Sequence, residues 1–405
     1  MWQDWDFVNS LGPKKKIVLF GRSEDWLPKF IRKFYGKIYC ICDSDKNLEG
    51  KKFFNIKIVH KSKLLHRKDL FFIITSGSFR SIASELLSYR KKPNVDFICS
   101  PDFKDFQDLI KMRSLKGKFI LSSSDRNQKQ KVNRSSSIGG GIFILEFNET
   151  KINLKKKLKG SFRQLCKYEK KFAAVNENGE IVTFDKNIKR VTKFKTKINN
   201  LCGIDFHKKT KSFIITNQTR DKIYIFDITK KKIINEIPFS DLSGEHLKSP
   251  HHINDIFIND DEVYLTFFSW VGDWKNGVYD GGIAKFNIFK KKIKLISKKI
   301  FWQPHSPTFI DGELACVDSG NGRIVFNNHK KEIKLNGFVR GLKKIGKYII
   351  CGQSETMYLS RMIKKENLIN ITPGIYIIDI NKNANKFIPV YGLCNIHDIE
   401  PLSLV

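Results

Sequence analysis

Several polar residues in the second part of the chain are of types that bind ligands or move protons. They are His252, Asn254, Asp255, His305, Ser306, Arg340, Gln353, Glu355 and His397. Most fall in short clusters: His251-His252-Ile253-Asn254-Asp255, Pro304-His305-Ser306-Pro307, Phe338-Val339-Arg340-Gly341 and Asn395-Ile396-His397-Asp398. Neutral imidazoles ligate zinc, so His252 and His305 with the amide oxygen of Asn254 are a candidate divalent-metal set. Arg340 could hold a carboxylate or phosphate through two parallel hydrogen bonds, or pair with an acid on a neighbouring blade. Along an extended strand His252 and Asn254 would share one side, with His251 and Ile253 on the other. Asp318 reads as a turn-forming acid. His60, His66, His207, His246 and His329 read as surface residues. No nucleophile elbow, phosphate-binding Gly-Lys loop or HExxH zinc motif occurs.

What could gather these residues is a set of short strands. Trp302–Val325 is typical: Asp311-Gly312 and Ser319-Gly320-Asn321-Gly322 supply two turns between three apolar runs. Asp-Gly and Asn-Gly provide the positive φ angles of tight hairpins. From Gly139 onward such strands recur in groups of about four, with no amphipathic helix, as in propeller blades. Five groups start at Phe162, Leu201, His252, the 305 region and Phe338. A sixth takes Lys118–Leu121, Gly141–Phe147 and Ile152–Leu158 together with a C-terminal strand, Asn395–Leu402. The expectation is a six-bladed β-propeller over 116–405, closed by both ends of that segment. The polar run 122–137 would be a loop inside the closing blade. The innermost strand of each blade starts at the central channel, so the polar clusters would meet in one funnel. Trp270-Val271-Gly272-Asp273-Trp274 would be an insertion able to overhang it as a sugar-stacking lid.

Residues 1–115 alternate strands and helices, which implies a parallel α/β sheet. Strands are expected at Lys15–Phe20, Lys37–Cys42, Asn55–Val59, Leu70–Thr75 and Val95–Cys99. Helices are expected at Asp25–Tyr35, Phe79–Tyr89 and Phe103–Met112. The strand ending at Gly21, the acid Asp43 after the second strand, the Lys46–Lys52 loop and the turn Thr75-Ser76-Gly77-Ser78-Phe79-Arg80 carry a resemblance. This region resembles the small Rossmann-like domains of surface-polysaccharide biosynthesis proteins. The resemblance implies a nucleotide or nucleotide-sugar held by Gly21, Asp43, Ser76 and Gly77, with Asp43 on a ribose hydroxyl. Gly21-Arg22-Ser23-Glu24-Asp25 departs from the GxGxxG pattern and sets two acids near any phosphate.

The clusters His252–Asp255, Pro304–Pro307, Val317–Gly322, Gly337–Leu342 and His397-Asp398-Ile399 resemble a bacterial family of six-bladed propellers known as a domain of unknown function. More distantly the region is similar to the gluconolactonase and strictosidine-synthase propellers. The gluconolactonase type implies a calcium ion in the channel, with Asn254 matching one ligand.

Composition narrows the classes. The chain of 405 residues has 74 Lys and Arg against 41 Asp and Glu, a net charge of +33. These lysines come in scattered doublets and triplets (Lys14–Lys16, Lys155–Lys157, Lys230–Lys232, Lys290–Lys292), so a solvated surface is expected and not specific nucleic-acid binding. No apolar run reaches the roughly 20 residues of a membrane helix, and Met1–Asp6 is acidic where a secretory signal is basic. Eight cysteines without paired CxxC motifs are expected as buried thiols. The expected setting is the cytoplasm. The leading expectation is a propeller binding a small, glycan-related ligand or a divalent metal (Ca or Zn), fused to a nucleotide-binding-like domain. The alternatives are a metal-dependent hydrolase or lactonase, and a scaffold for a protein or polyanion.

Overall fold

The structure is a computed structural model of the chain and describes residues 1–11, 15–124, 139–240, 250–290, 293–327, 330–355 and 369–405. It divides into two units, Met1–Arg113 and Ser114–Val405, two residues before the expected boundary.

The first unit is one sheet with helices on both faces. Its strands are β1 (Lys16–Phe20), β2 (Ile38–Asp43), β3 (Lys52–Phe53), β4 (Ile56–His60), β5 (Leu70–Ile74) and β6 (Phe97–Cys99). Its helices are α1 (Trp5–Ser10), α2 (Leu27–Phe34), α3 (Phe79–Ser88) and α4 (Lys104–Arg113). The sheet order is β3-β4-β2-β1-β5-β6. All neighbours run parallel except β3, which pairs antiparallel with β4. The sheet is therefore mixed and not the parallel sheet expected. The cause is local: Phe54 (φ 47°) and Asn55 (φ 61°) are both left-handed, the geometry of a tight two-residue hairpin. Alternation along β1 feeds two cores. Ile17 and Leu19 pack with Phe30 and Phe34 of α2, whereas Val18 and Phe20 pack with Leu86 of α3. Burial on both faces is why these strands read as unbroken apolar runs.

The second unit is a six-bladed β-propeller of four-stranded antiparallel sheets. The first strands of the blades are Phe162–Tyr168, Leu201–His207, Ile253–Asn259, Pro304–Ile310, Phe338–Ile345 and, for the sixth, Asp398–Leu404. These lie beside one another in that order, and Asp398–Leu404 also lies beside Phe162–Tyr168. In the sixth sheet Asp398–Leu404 pairs with Gly117–Ser123, followed by Gly141–Phe147 and Ile152–Lys159. The C-terminal strand thus begins three residues later than the expected Asn395. Of the polar run 122–137, Ser122 and Ser123 belong to a strand and Ser124 is buried. Positions 125–137 lie outside the described residues, as do His246, His329, Lys14, Lys291 and Lys292.

Burial is graded across each blade. In the second blade Ser212–Asn217 is buried throughout, while the outermost strand Lys232–Pro238 is exposed or half-buried except at Ile237. Lysines gather on such outer strands, Ile152–Lys159 included. Charged side chains on an outer strand discourage edge-to-edge pairing, which gives part of the net charge a structural role.

Candidate functional site

The channel is organised by irregularities in its own walls. In five blades the pairing of the innermost strand slips near its start: between Phe162 and Leu165, Leu201 and Ile204, Ile253 and Ile256, His305 and Thr308, and Arg340 and Leu342; in the sixth it slips later, between Pro401 and Ser403. A bulge takes a backbone N–H out of its own ladder, and a buried N–H needs another acceptor. Side chains of other blades supply it. Asp398 Oδ2 accepts from Leu165 N at 2.9 Å, and Gln164 Oε1 accepts from Ile204 N and Ile256 N at 3.0 Å each. Asp205 Oδ2 accepts from Ile258 N at 2.7 Å. Asp255 Oδ2 accepts from Ser306 N at 2.9 Å, and Ser306 Oγ accepts from Gly341 N at 2.9 Å. This polar belt crosses the channel and leaves two ends with different chemistry.

At one end two guanidiniums meet one imidazole. Arg340 Nη1 lies 3.2 Å from both ring nitrogens of His397, and Arg163 Nη1 lies 3.1 Å from His397 Nε2. Ser124 Oγ is 2.8 Å from the same nitrogen. Arg163 also pairs with Glu177, and the Arg340 guanidinium stands 4.7 Å from the Phe338 ring centroid. His252 is stacked on Phe268 at 4.3 Å and meets Trp274 at the same distance. Its Nδ1 is buried and has no hydrogen-bond partner among the described residues. Burial first, then the charges of Arg163 and Arg340, pulls its pKa down to about 3. Burial and Arg340 likewise hold His305 well below the usual imidazole range. His305 Nδ1 sits 2.9 Å from Gln303 O and 2.8 Å from Ser319 Oγ. Both histidines are therefore neutral in a positive field.

The backbone here is under constraint. His252, Gln303 and Ser306 have φ angles of 58°, 56° and 50°, a region that non-glycine residues seldom occupy. Buried Asp221 accepts from His251 N and, at 3.3 Å, from Ile253 N, clamping both sides of His252. The left-handed turn corrects the expectation that His252 and Asn254 share a strand side, because the strand starts only at Ile253. Asn254 Oδ1 instead takes the Cys202 thiol as its donor.

The expected site residues thus divide. Arg340, His397, His252 and His305 come together with Arg163 and Ser124. Asp255 and Ser306 are belt residues. Gln353 is fully buried and serves its own blade, donating to Asn370 O and Thr372 O and accepting from Tyr376 Oη. The backbone N–H of Glu355 donates to Cys394 O at 2.8 Å. For the metal set the fit is poor: Asn254 Oδ1 is engaged, and a cation would enter beside two guanidiniums. Among the described residues no three His, Cys, Asp or Glu side chains form a metal-holding group. Two histidines read as surface residues are buried: His207 is bonded to Thr210 and Asp261, and His60 to Ser62 and Ser44. Asp318 corrects the turn-forming reading: it makes no side-chain bond to the backbone of its own turn and accepts instead from Trp302 N and from the Asn321 and Arg323 side chains. Of the insertion, Trp270 is core and Trp274 covers His252.

On the other side the belt borders a cavity of about 390 Å³ lined by residues of all six innermost strands. Lys343 Nζ bridges Glu400 Oε1 at 2.7 Å and Asp398 Oδ2 at 3.7 Å, and Lys167 Nζ reaches Glu400 Oε2 at 3.1 Å. Burial raises the Asp398 carboxyl to about 7, Lys343 opposing the shift, and raises Asp205 to about 6. Burial pulls the Lys343 ammonium down, and Asp398 with Glu400 more than reverses this. Sequence reasoning set Asp205 and Asp398 in channel-facing clusters without giving either a role, and passed over Lys343, Glu400 and Arg163. The available signal was charge inside strands that are otherwise buried.

In the first unit Gly21 (φ 99°) and Ser76 touch at the ends of β1 and β5, so close that a Cβ on Gly21 would overlap that of Ser76. Thr75 Oγ1 donates to Gly21 O at 2.7 Å. Asp43, at the end of β2, accepts from Asp45 N at 2.9 Å and lies 3.6 Å from Arg22 Nε. Gly77 is exposed beside the Trp26 indole. A hollow of about 380 Å³ opens next to it, lined by Phe79, Arg80, Phe106 and Arg113 among others.

The family described as Domain of unknown function (DUF4915) matches residues 248–402, which spans the third, fourth and fifth blades and most of Asp398–Leu404. No curated protein matches the chain. Among solved structures, the crystal structure of a nidogen–laminin complex superposes with a TM-score of 0.50 at 11% identity, over 70% of this chain and 97% of that one. That likeness is one of fold. Hydrazine synthase of Kuenenia stuttgartiensis gives a TM-score of 0.38 at 14% identity, over 57% of this chain and 67% of that one.

Proposed function

We propose that the propeller binds a small acidic ligand, one bearing a carboxylate or phosphate, at the His–Arg end of its channel. The observation that carries this reading is the convergence of Arg163 and Arg340 on His397. Two guanidiniums around one imidazole make a positive site with planar donors suited to an oxyanion. The neutral His252 and His305 add hydrogen-bonding nitrogens without adding charge. Half-buried Trp274 supplies aromatic surface on which a sugar ring could stack. Closure of the ring by both ends of the propeller segment belongs to this reading, since His397 and Ser124 come from those two ends. It is supported by the register Asp398↔Ser122, Ile399↔Leu121 and Glu400↔Ile120.

The first unit we read as Rossmann-like. Without β3, its order places β1 centrally, with β2 and β4 on one side and β5 and β6 on the other, and helices on both faces. In such sheets ligands bind where the strand order reverses. Gly21 and Ser76 stand at that point. A nucleotide or nucleotide-sugar there, and an acidic sugar in the propeller, would suit a protein of bacterial surface-glycan metabolism. The first arm of the test is calorimetry of the whole protein against glucuronate and inorganic phosphate. Binding of at least one, weakened roughly 10- to 100-fold by Arg340→Met, is expected. Absence of heat with both would refute the acidic-ligand reading. The second arm is a thermal shift with UDP-glucose, where no stabilisation would count against the nucleotide part alone.

A further inference from the structure

The opposite end of the channel has a different lining, an open cavity whose charged groups also bond between blades. We propose that it is a second binding site, for a neutral, hydroxyl-rich molecule about the size of one sugar ring. The cavity of about 390 Å³ lies within the usual range of small-molecule pockets, roughly 300–1,000 Å³. Its polar groups are Asp205, Asp398, Glu400 and Lys343, and half-buried Phe257 and Phe309 give it apolar walls.

The chemistry of these groups selects the ligand. Each carboxylate offers about four lone-pair positions. Asp398 spends two on Leu165 N and Ile399 N, and Asp205 two on Ile258 N and Phe206 N. Acceptor capacity remains on both. Lys343 is an ammonium donor between two of the acids. A sugar hydroxyl both donates and accepts, so it matches acids and an ammonium in one cavity. Charged ligands fit less well. Lys167, Lys208 and Lys344 at the exposed rim repel a cation, and the three carboxylates repel an anion. The ring's C–H face would lie on Phe257 and Phe309, whose centroids are 6.1 Å apart. With its pKa near 7, Asp398 is part-protonated at neutral pH and donates as well as accepts.

Saturation-transfer NMR on the full chain with D-glucose, D-galactose and myo-inositol tests this. At least one should receive saturation. Its affinity should fall roughly tenfold in Asp398→Asn and in Phe257→Ala, and stay unchanged in Arg340→Met. No transfer to any of the three overturns the proposal. So does transfer that survives Asp398→Asn and Phe257→Ala but disappears in Arg340→Met, which would place the sugar at the His–Arg end. Should Asp398→Asn fail to fold, Phe257→Ala decides alone, because a half-buried ring can be lost without unfolding the blade. Failure here leaves the acidic-ligand reading standing, since glucuronate and phosphate probe the other end.

Discussion

The two ends of the channel are built from the same six strands and solve burial in opposite ways. At the His–Arg end burial and two guanidiniums keep the His252 and His305 imidazoles neutral. At the far end burial shifts the Asp205 and Asp398 carboxyls toward neutrality, and one lysine is shared between Asp398 and Glu400. Between them runs a belt that contributes cohesion. The contrast teaches that position relative to the bulge sorts the roles. Residues at its start, such as Arg163, His305 and Arg340, belong to one end, and residues after it, such as Asp205 and Lys343, to the other.

The largest expected effect falls on the carboxylate end. Lys343→Met leaves Asp398 and Glu400 without their shared cation and should cost about 3–5 kcal/mol in denaturant unfolding. The folded pKa of Asp398 lies above its unfolded value, so its contribution is present below about pH 4 and lost as pH rises through about 7. The cost of Lys343→Met should therefore be greater at pH 8 than at pH 5. An equal cost at both pH values would break the comparison.

The belt comes next. Gln164→Leu strips acceptors from Ile204 N and Ile256 N and should cost about 3 kcal/mol, with no effect on acid binding beyond that of destabilisation. A smaller effect, and one on binding and not folding, is expected of Arg163→Met: a roughly tenfold loss of glucuronate or phosphate affinity. If Arg163→Met weakened a neutral sugar equally, the two ends would not be separate sites.

The smallest effect sharpens the contrast in pH. The folded pKa of His252 lies below its unfolded value, so its contribution is present above about pH 6.5 and lost as pH falls toward 3. His252→Phe keeps an aromatic against Phe268 and should change stability by about 1 kcal/mol at neutral pH. It should also flatten the fall in melting temperature between pH 6 and pH 4. An unchanged acid slope would show that His252 is not the sensing group.

Much of the architecture was legible in local pattern. Alternating apolar runs with turn residues placed nearly every strand, and the strand–helix alternation of the first unit held for α2, α3 and α4. What failed, failed for stated reasons. The β3 hairpin turns on Phe54-Asn55, which lacks the glycine signal. His252 was placed in a strand because alternation cannot show a left-handed residue. Gln353 looked functional by polarity alone, yet its amide holds Asn370 and Thr372. Arg163 went unnoticed because one arginine in an apolar strand has no local distinction.

Periodicity, turn chemistry and the separation of two composition regimes were enough to determine the number of blades and, to within three residues, where each begins, because a strand's face and a hairpin's turn depend on neighbours in sequence. Tertiary structure alone decided that Arg163, Arg340 and His397 meet, although 234 positions separate the first from the last. The same holds for Lys343, which joins Asp398 and Glu400. Such encounters depend on the angle at which blades pack and on which amides the bulges leave unpaired, and neither quantity is written in any single stretch of the chain.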